Sequence, residues 1–187
     1  MRITQFIASV VLTLPITAIA DDHQHSLEAH VHGVAALNIA LEEQQLELQL
    51  ESPAMNIFGF EYQPTTAADI QTVKAAQDNL NNAAALFSLS SAAQCTLTSV
   101  EIESDLLQKT DGHDSHSHPE PHDAEDQHSE INAHYHYHCA APDALNSINL
   151  AGFFKTFPLT EKIQVQLITA DQQQGVELSH KHTQLNW

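Results

Sequence analysis

One stretch near the middle of the chain, residues 108–130, consists almost entirely of His, Asp, Glu, Ser, Pro and Gly. Apart from its prolines, its one apolar side chain is Ala124. Such a composition cannot bury enough apolar surface to offset the entropy that a chain loses on becoming ordered. We therefore expect a disordered His-rich loop here, and a core built by the segments on either side.

Before this loop, the apolar pattern predicts two strands, a long helix and a third strand. Residues 29–51 alternate in two runs around Glu42-Glu43-Gln44-Gln45, which indicates a hairpin, and residues 52–64 read as a loop packed by aromatic side chains. Thr65 or Thr66 can cap a helix to about Phe87, with Asp69 near a capping-box position. Residues 95–103 alternate as a strand.

After the loop, residues 131–139, 163–169 and 176–178 have strand patterns, and residues 150–157 predict a short helix before Pro158. The complete order predicts an α+β fold with a mostly antiparallel sheet, one long helix and one short helix. The disordered His-rich loop is inserted between two of the strands. Strand order cannot be read from the pattern.

The start of the chain has the features of a secretory signal peptide. Arg2 precedes an apolar run over residues 6–19, and Ala18-Ile19-Ala20 offers a small-x-small cleavage site. The run is too short for a good membrane span, and a retained anchor is the alternative. We expect removal of residues 1–20, a periplasmic location, and one domain over residues 21–187 with no membrane span.

The charge of the chain excludes one class of partner. Removing Arg2 leaves five lysines against 24 acidic residues, a formal charge of −19 with neutral histidines. A nucleic-acid partner is incompatible with such a surface, because nucleic-acid binding needs cations to neutralise phosphates. An acidic surface concentrates cations, although it also serves simply to keep an exported protein soluble.

The two cysteines allow two interpretations. In an oxidising compartment Cys95 and Cys139 predict a disulfide, which would clamp the base of the His-rich loop. Closing the loop between them would stabilise the fold by about 4 kcal/mol in the chain-entropy model. Alternatively, Cys139 provides a zinc thiolate beside His136 and His138.

The fourteen histidines are clustered, which is typical of a metal-binding sequence and not of core packing. Neutral imidazole suits zinc, copper and nickel, and carboxylates can complete the shell. The irregular spacing in the loop predicts several sites, unless the loop is a solvated linker. The loop candidates are His113, His116, His118, His122 and His128. His23, His25, His180 and His182 near the chain ends are further candidates, with ordinary exposed polar residues as the alternative.

The strand after the loop makes a sharper prediction. Alternation places His134, His136 and His138 on one face and the intervening residues on the other. Same-face neighbours lie roughly 6.5–7 Å apart along a strand, so adjacent rings can share an ion but all three cannot. A fourth ligand could come from His30 or His32, a second His-x-His pair; an exposed sheet face without ligand function is the alternative.

Enzyme signatures are missing from the sequence. It contains no His-Glu-x-x-His helix, no Gly-x-Ser-x-Gly elbow and no glycine-rich phosphate loop. A zinc hydrolase built from scattered ligands would also need an open coordination position and a placed base. The residues therefore favour a binding protein over an enzyme.

Four segments of the chain together resemble one known family. They are Glu28-Ala-His-Val-His-Gly-Val-Ala-Ala-Leu-Asn38, Leu46-Glu-Leu-Gln-Leu-Glu-Ser-Pro-Ala54, Asn56-Ile-Phe-Gly-Phe60 and His134-Tyr-His-Tyr-His-Cys139. The chain resembles the ZrgA family of zinc-regulated periplasmic proteins. The resemblance implies a Zn²⁺-binding protein that assists zinc uptake in a Gram-negative bacterium, alongside components of an inner-membrane transporter.

Metal capture with transfer to a transporter is one of two functions that these features allow. Passive buffering or detoxification of zinc, copper or nickel is the alternative, because imidazole accepts all three metals. Either function predicts that affinity falls in acid, since a protonated imidazole has no lone pair for a metal.

Overall fold

The computed structural model describes residues 31–107 and 129–187. The expected signal peptide, residues 21–30 and the predicted loop up to His128 lie outside the described residues, together with the histidines of the last two segments. The elements are β1 (Val34–Glu42), β2 (Gln45–Pro53), α1 (Ala54–Phe58), α2 (Ala67–Asn81), α3 (Ala83–Leu86), β3 (Ser88–Leu89), β4 (Cys95–Glu103), β5 (Glu130–Cys139), β6 (Ser147–Asn149), α4 (Ala151–Thr156), β7 (Lys162–Ile168), β8 (Gln173–Ser179) and β9 (Gln184–Asn186).

Six strands form the main sheet in the order β4-β5-β2-β1-β7-β8, and β3, β6 and β9 form a smaller one. All described pairs are antiparallel except β1 with β7. The predicted hairpin is present as β1 and β2, and the α+β class with a mostly antiparallel sheet is confirmed. The short strands β3, β6 and β9 were not predicted, because two or three residues are too few to show an alternation.

One face of the main sheet is buried and the other faces solvent. Alternate residues of its central strands, such as Leu37, Leu48, Tyr135 and Val165, are almost completely buried. The helical segment covers this face, because the ring of Phe87 lies 5.0 Å from that of Tyr135. The opposite face is half-buried or exposed, and on β2, β5 and β7 it carries mainly polar residues.

The long helix begins as predicted and ends earlier. Thr66 Oγ1 accepts from the backbone N–H of Asp69 at 3.1 Å, and the Asp69 carboxylate accepts from the Thr66 N–H at 3.4 Å, which completes the capping box. The predicted end near Phe87 is wrong, because Asn82 leaves helical geometry with φ −89° and ψ 64°. Asparagine is a poor helix former, and a separate short helix, α3, follows it.

Two predicted loop boundaries also need correction. Residues 52–64 were expected to form a loop, but part of this segment is the helix α1, which ends at Gly59 in the left-handed conformation with φ 82°. The last two residues assigned to the His-rich loop belong to the fold instead. Ser129 is buried and its carbonyl accepts from the Ala54 N–H at 2.8 Å, while Glu130 begins β5.

The predicted disulfide joins Cys95 to Cys139, and these residues lie directly opposite each other in β4 and β5. A sulfur in a disulfide is not a thiolate, so the zinc-thiolate interpretation of Cys139 does not apply here. The sequence predicted that the bridge would clamp the base of the His-rich loop, the segment inserted between β4 and β5. This prediction is wrong. The bridge lies at the other end of the two strands, because Cys95 begins β4 and Cys139 ends β5.

Two buried tyrosines of β5 differ in how their hydroxyls are satisfied. Tyr135 Oη donates to the Leu80 carbonyl at 3.0 Å, whereas Tyr137 Oη has no hydrogen-bond partner among the described residues. Burial raises the pKa of Tyr135 far above its ordinary value and that of Tyr137 to about 12. Because burial raises these pKa values in the folded state, ionisation of either tyrosine opposes folding. The free energy of unfolding is therefore intact at neutral pH and falls as pH rises above about 10.

Replacing these two tyrosines by phenylalanine should therefore have different effects. Tyr135→Phe leaves the Leu80 carbonyl without its donor, and we expect it to lower the free energy of unfolding by about 1 kcal/mol. Tyr137→Phe removes a buried hydroxyl that lacks a described partner, so stability should be unchanged or higher. Urea unfolding followed by circular dichroism measures both, and an equal loss in the two variants would contradict this assignment.

Candidate metal-binding site

The histidines of β5 lie on the solvent face of the main sheet. Tyr135 and Tyr137 point into the core, while His134 and His136 between them are half-buried and His138 is exposed. The alternation predicted from the sequence is therefore present over this strand. These three histidines, here called the β5 row, present their rings in a line along the open face.

Carboxylates lie beside the β5 row on both neighbouring strands. In the sheet register Glu101 of β4 lies opposite His134, and Glu47 of β2 lies opposite His136. The Glu47 Oε1 atom is 3.5 Å from His136 Nδ1. His138 instead has an amide neighbour, since Gln45 Nε2 lies 3.5 Å from its Nδ1. The part of the β5 row at His134 and His136 is thus a mixed imidazole and carboxylate surface.

Sequence reasoning missed both glutamates as possible ligands. The alternation in β2 indicated that Glu47 is on a solvent face, but not that β2 pairs with β5. A pairing of strands that are far apart in sequence is decided by the packing of the complete sheet. No local signal could therefore have put Glu47 or Glu101 beside the histidines.

The donor set of the β5 row suits zinc. Zinc binds imidazole nitrogen and carboxylate oxygen at about 2.0–2.2 Å, so two ligands of one tetrahedral ion lie about 3.3–3.5 Å apart. The separation of His136 and Glu47 falls at this value. Within residues 31–107 and 129–187, no three His, Cys, Asp or Glu side chains converge as a metal-binding group. The β5 row therefore presents candidate ligands on an open surface and not in a closed cage.

His32 lies away from the β5 row. It precedes β1, and β2 separates β1 from β5. Asn38 of β1 is in register with His134 through Gln49, so the first residue of β1, Val34, is already about 13 Å further along the sheet. In this structure His32 consequently does not supply a fourth ligand to the β5 row. Its Nε2 atom lies 3.2 Å from Glu61 Oε1 instead.

His180 and His182 lie at the turn between β8 and β9. The backbones of Ser179 and His182 bond to each other across this turn at 2.9 and 3.0 Å. The His180 ring packs 4.9 Å from the ring of Phe154. The ring contact gives His180 a local packing role, whereas the bonds of His182 belong to its backbone and close the turn.

The remaining histidine candidates, His23, His25, His30 and the five of the inserted segment, lie outside the described residues. The points where their segments join the fold are nevertheless described. Val31 precedes β1, Leu107 follows β4 and Ser129 precedes β5. These three points lie at the same end of the main sheet, because β1 and β5 begin there and β4 ends there.

Comparison with known proteins identifies one family. A sequence model of a protein family, described as 'ZrgA family zinc uptake protein', matches residues 29–187. This is a family associated with transport and not with catalysis. A search of curated proteins finds no match. Among the helices in the described parts of the chain, none has the length and apolar character needed to cross a membrane.

Zinc held between β2 and β5 should stabilise the fold, because its ligands separate on unfolding. We expect Glu47→Gln to weaken this site at least about tenfold, which removes about 1.4 kcal/mol of the stabilisation at saturating zinc. The zinc-induced rise in melting temperature should shrink by about 3–6 °C.

Glu42→Gln is the matched control, because it removes the same charge from the same exposed face without a neighbouring histidine contact. Differential scanning calorimetry with and without zinc measures the effect. An equal rise in the wild type and in Glu47→Gln would exclude Glu47 as a ligand.

Proposed function

The chain belongs to the ZrgA family of zinc uptake proteins, and we propose that it captures Zn²⁺ in the periplasm through histidine clusters and assists its uptake. The observation that carries this proposal is the β5 row, with Glu47 3.5 Å from His136 on an open sheet face. Half-buried imidazoles beside a carboxylate provide zinc ligands without filling the coordination shell from one side. A zinc ion bound there remains accessible to a second set of ligands.

We assign capture to the histidines that the chain carries in clusters. The formal charge of −19 on the mature chain raises the local concentration of cations, so encounter with zinc is favoured. The inserted segment and the N-terminal segment join the fold at one end of the sheet, from which the β5 row extends. The proposed ligands are His30, His32, His113, His116, His118, His122, His128, His134, His136 and His138, with His23 and His25 as secondary candidates.

His180 and His182 are left out of the proposed set. Their contacts are with Phe154 and with the backbone of their own turn, not with a carboxylate or another described histidine. The His180 ring has an apolar neighbour, and the bonds of His182 across the turn are those of its backbone. The two histidines therefore serve as internal controls for the effect of removing imidazoles from this protein.

The periplasm is the compartment that we propose. The Cys95–Cys139 disulfide is typical of an oxidising compartment, and the apolar leader that ends at Ala20 has the pattern of an export signal. Zinc captured there must cross the inner membrane. We propose that a component of an inner-membrane transporter takes the ion by ligand exchange, which an open site permits because incoming donors can reach the metal.

The number of zinc ions bound tests the capture role. We expect more than one Zn²⁺ per chain by isothermal titration calorimetry, because the clustered histidines exceed the needs of one ion. Replacing the five histidines of residues 108–128 by Gln should remove most of the bound zinc. Replacing His180 and His182 by Gln should leave the number unchanged. A wild-type stoichiometry of one or less would refute the proposal of several capture sites.

Growth of the source bacterium distinguishes uptake from passive buffering. A strain that lacks the protein should grow normally in zinc-replete medium and poorly when a chelator limits zinc, and the wild-type gene should restore growth. A gene whose His134, His136 and His138 codons are changed to Gln should restore less. If the strain instead fails only in excess zinc, copper or nickel, buffering is the function.

A further inference from the structure

His32 is held in a rigid turn at the end of the main sheet. The Val34 N–H donates to the Val31 carbonyl at 3.0 Å, and Gly33 takes the left-handed conformation with φ 84°. The buried Asn56 side chain accepts from the Gly33 N–H at 2.7 Å and donates to the Val34 carbonyl at 3.0 Å. These bonds fix the backbone on the C-terminal side of His32, which limits the positions that its ring can take.

Glu61 faces His32 from a protected position. Its side chain is 13% exposed, compared with 50% for His32, and its Oε1 atom lies 3.2 Å from His32 Nε2. Its backbone carbonyl accepts from Ser129 Oγ at 3.2 Å, where β5 is about to begin. A largely buried carboxylate is costly unless it has a polar or charged partner. The fold thus holds a carboxylate against an imidazole that remains open to solvent on its other side.

We propose that His32 Nε2 and the Glu61 carboxylate are two ligands of one zinc ion, at a position separate from the β5 row. Their 3.2 Å separation is close to the distance of about 3.3–3.5 Å between two ligands of a tetrahedral zinc ion. Zinc therefore enters between them after a movement of a few tenths of an ångström. This inference rests on the zinc-binding role proposed above and adds to it a defined second site with a carboxylate ligand.

A third donor borders the same turn. Glu161 packs over Gly33 so closely that a Cβ at that position would lie 3.1 Å from its Cγ and 3.2 Å from its Cδ. The Glu161 side chain is exposed, and the proposal includes its carboxylate as a third ligand that turns towards the ion when zinc binds. Water can occupy the remaining position. The proposed His32 site thus combines a backbone fixed by hydrogen bonds with a largely buried carboxylate, whereas the β5 row lies on an open sheet face.

The test is a Zn²⁺ titration of the full mature chain, followed through the imidazole nitrogen signals by NMR. The His32 signal is identified by its loss in His32→Gln. We expect this signal to shift with zinc in the wild type, and Glu61→Gln to raise the zinc concentration at half-shift at least about tenfold. Glu103→Gln, an exposed charge at the same end of the sheet, should change it less than twofold. Circular dichroism without zinc checks that each variant is folded.

The outcomes separate this site from the proposed function. If the His32 signal does not respond while the β5 row does, or if Glu61→Gln and wild type respond alike, the site is refuted and the capture role stands. If no histidine signal responds to zinc, the proposed function fails as well. Should Glu61→Gln not fold, the wild-type His32 signal decides: if zinc added at constant pH leaves this signal unshifted, the site is refuted.

Discussion

The register of β5 between β2 and β4 is the constraint on which the proposed binding surface depends. Tyr135 and Tyr137 fill the core on one face of β5, and this places the β5 row on the other. A slip of one residue would put three imidazoles into the core and two tyrosines into solvent. Burying polar rings without partners is costly, and the Cys95–Cys139 bridge fixes the same register covalently at one end.

This arrangement allows binding to be added to the sheet without disturbing the core. The apolar face of β5 packs against the helical segment through Phe87, while the ligand face contacts mainly other polar side chains. A closed zinc cage would hold its ion as part of the fold. An ion bound at an open row of imidazoles with carboxylates alongside would stay within reach of other ligands, as the proposed release of zinc to a transporter requires.

The two ends of the main sheet differ in what joins them. The disulfide closes the end where β4 begins, and the segments outside the described residues join at the opposite end, beside His32 and Ser129. The expectation that the bridge clamps the base of the inserted segment was natural, because both cysteines flank it in sequence. In an antiparallel pair, however, the residues furthest from the connection in sequence are opposite each other at its far end.

The sequence by itself determined what depends on neighbouring residues: the alternation that separates His134, His136 and His138 from the tyrosines, the Thr66 cap of α2 and the presence of a disulfide pair. Local geometry is set by backbone periodicity, which a sequence displays directly. The tertiary structure alone decided that Glu47 faces His136, that Glu61 faces His32, and that His32 is remote from the β5 row. These contacts join residues that are distant along the chain, and their formation depends on which strands and loops pack together to bury the core.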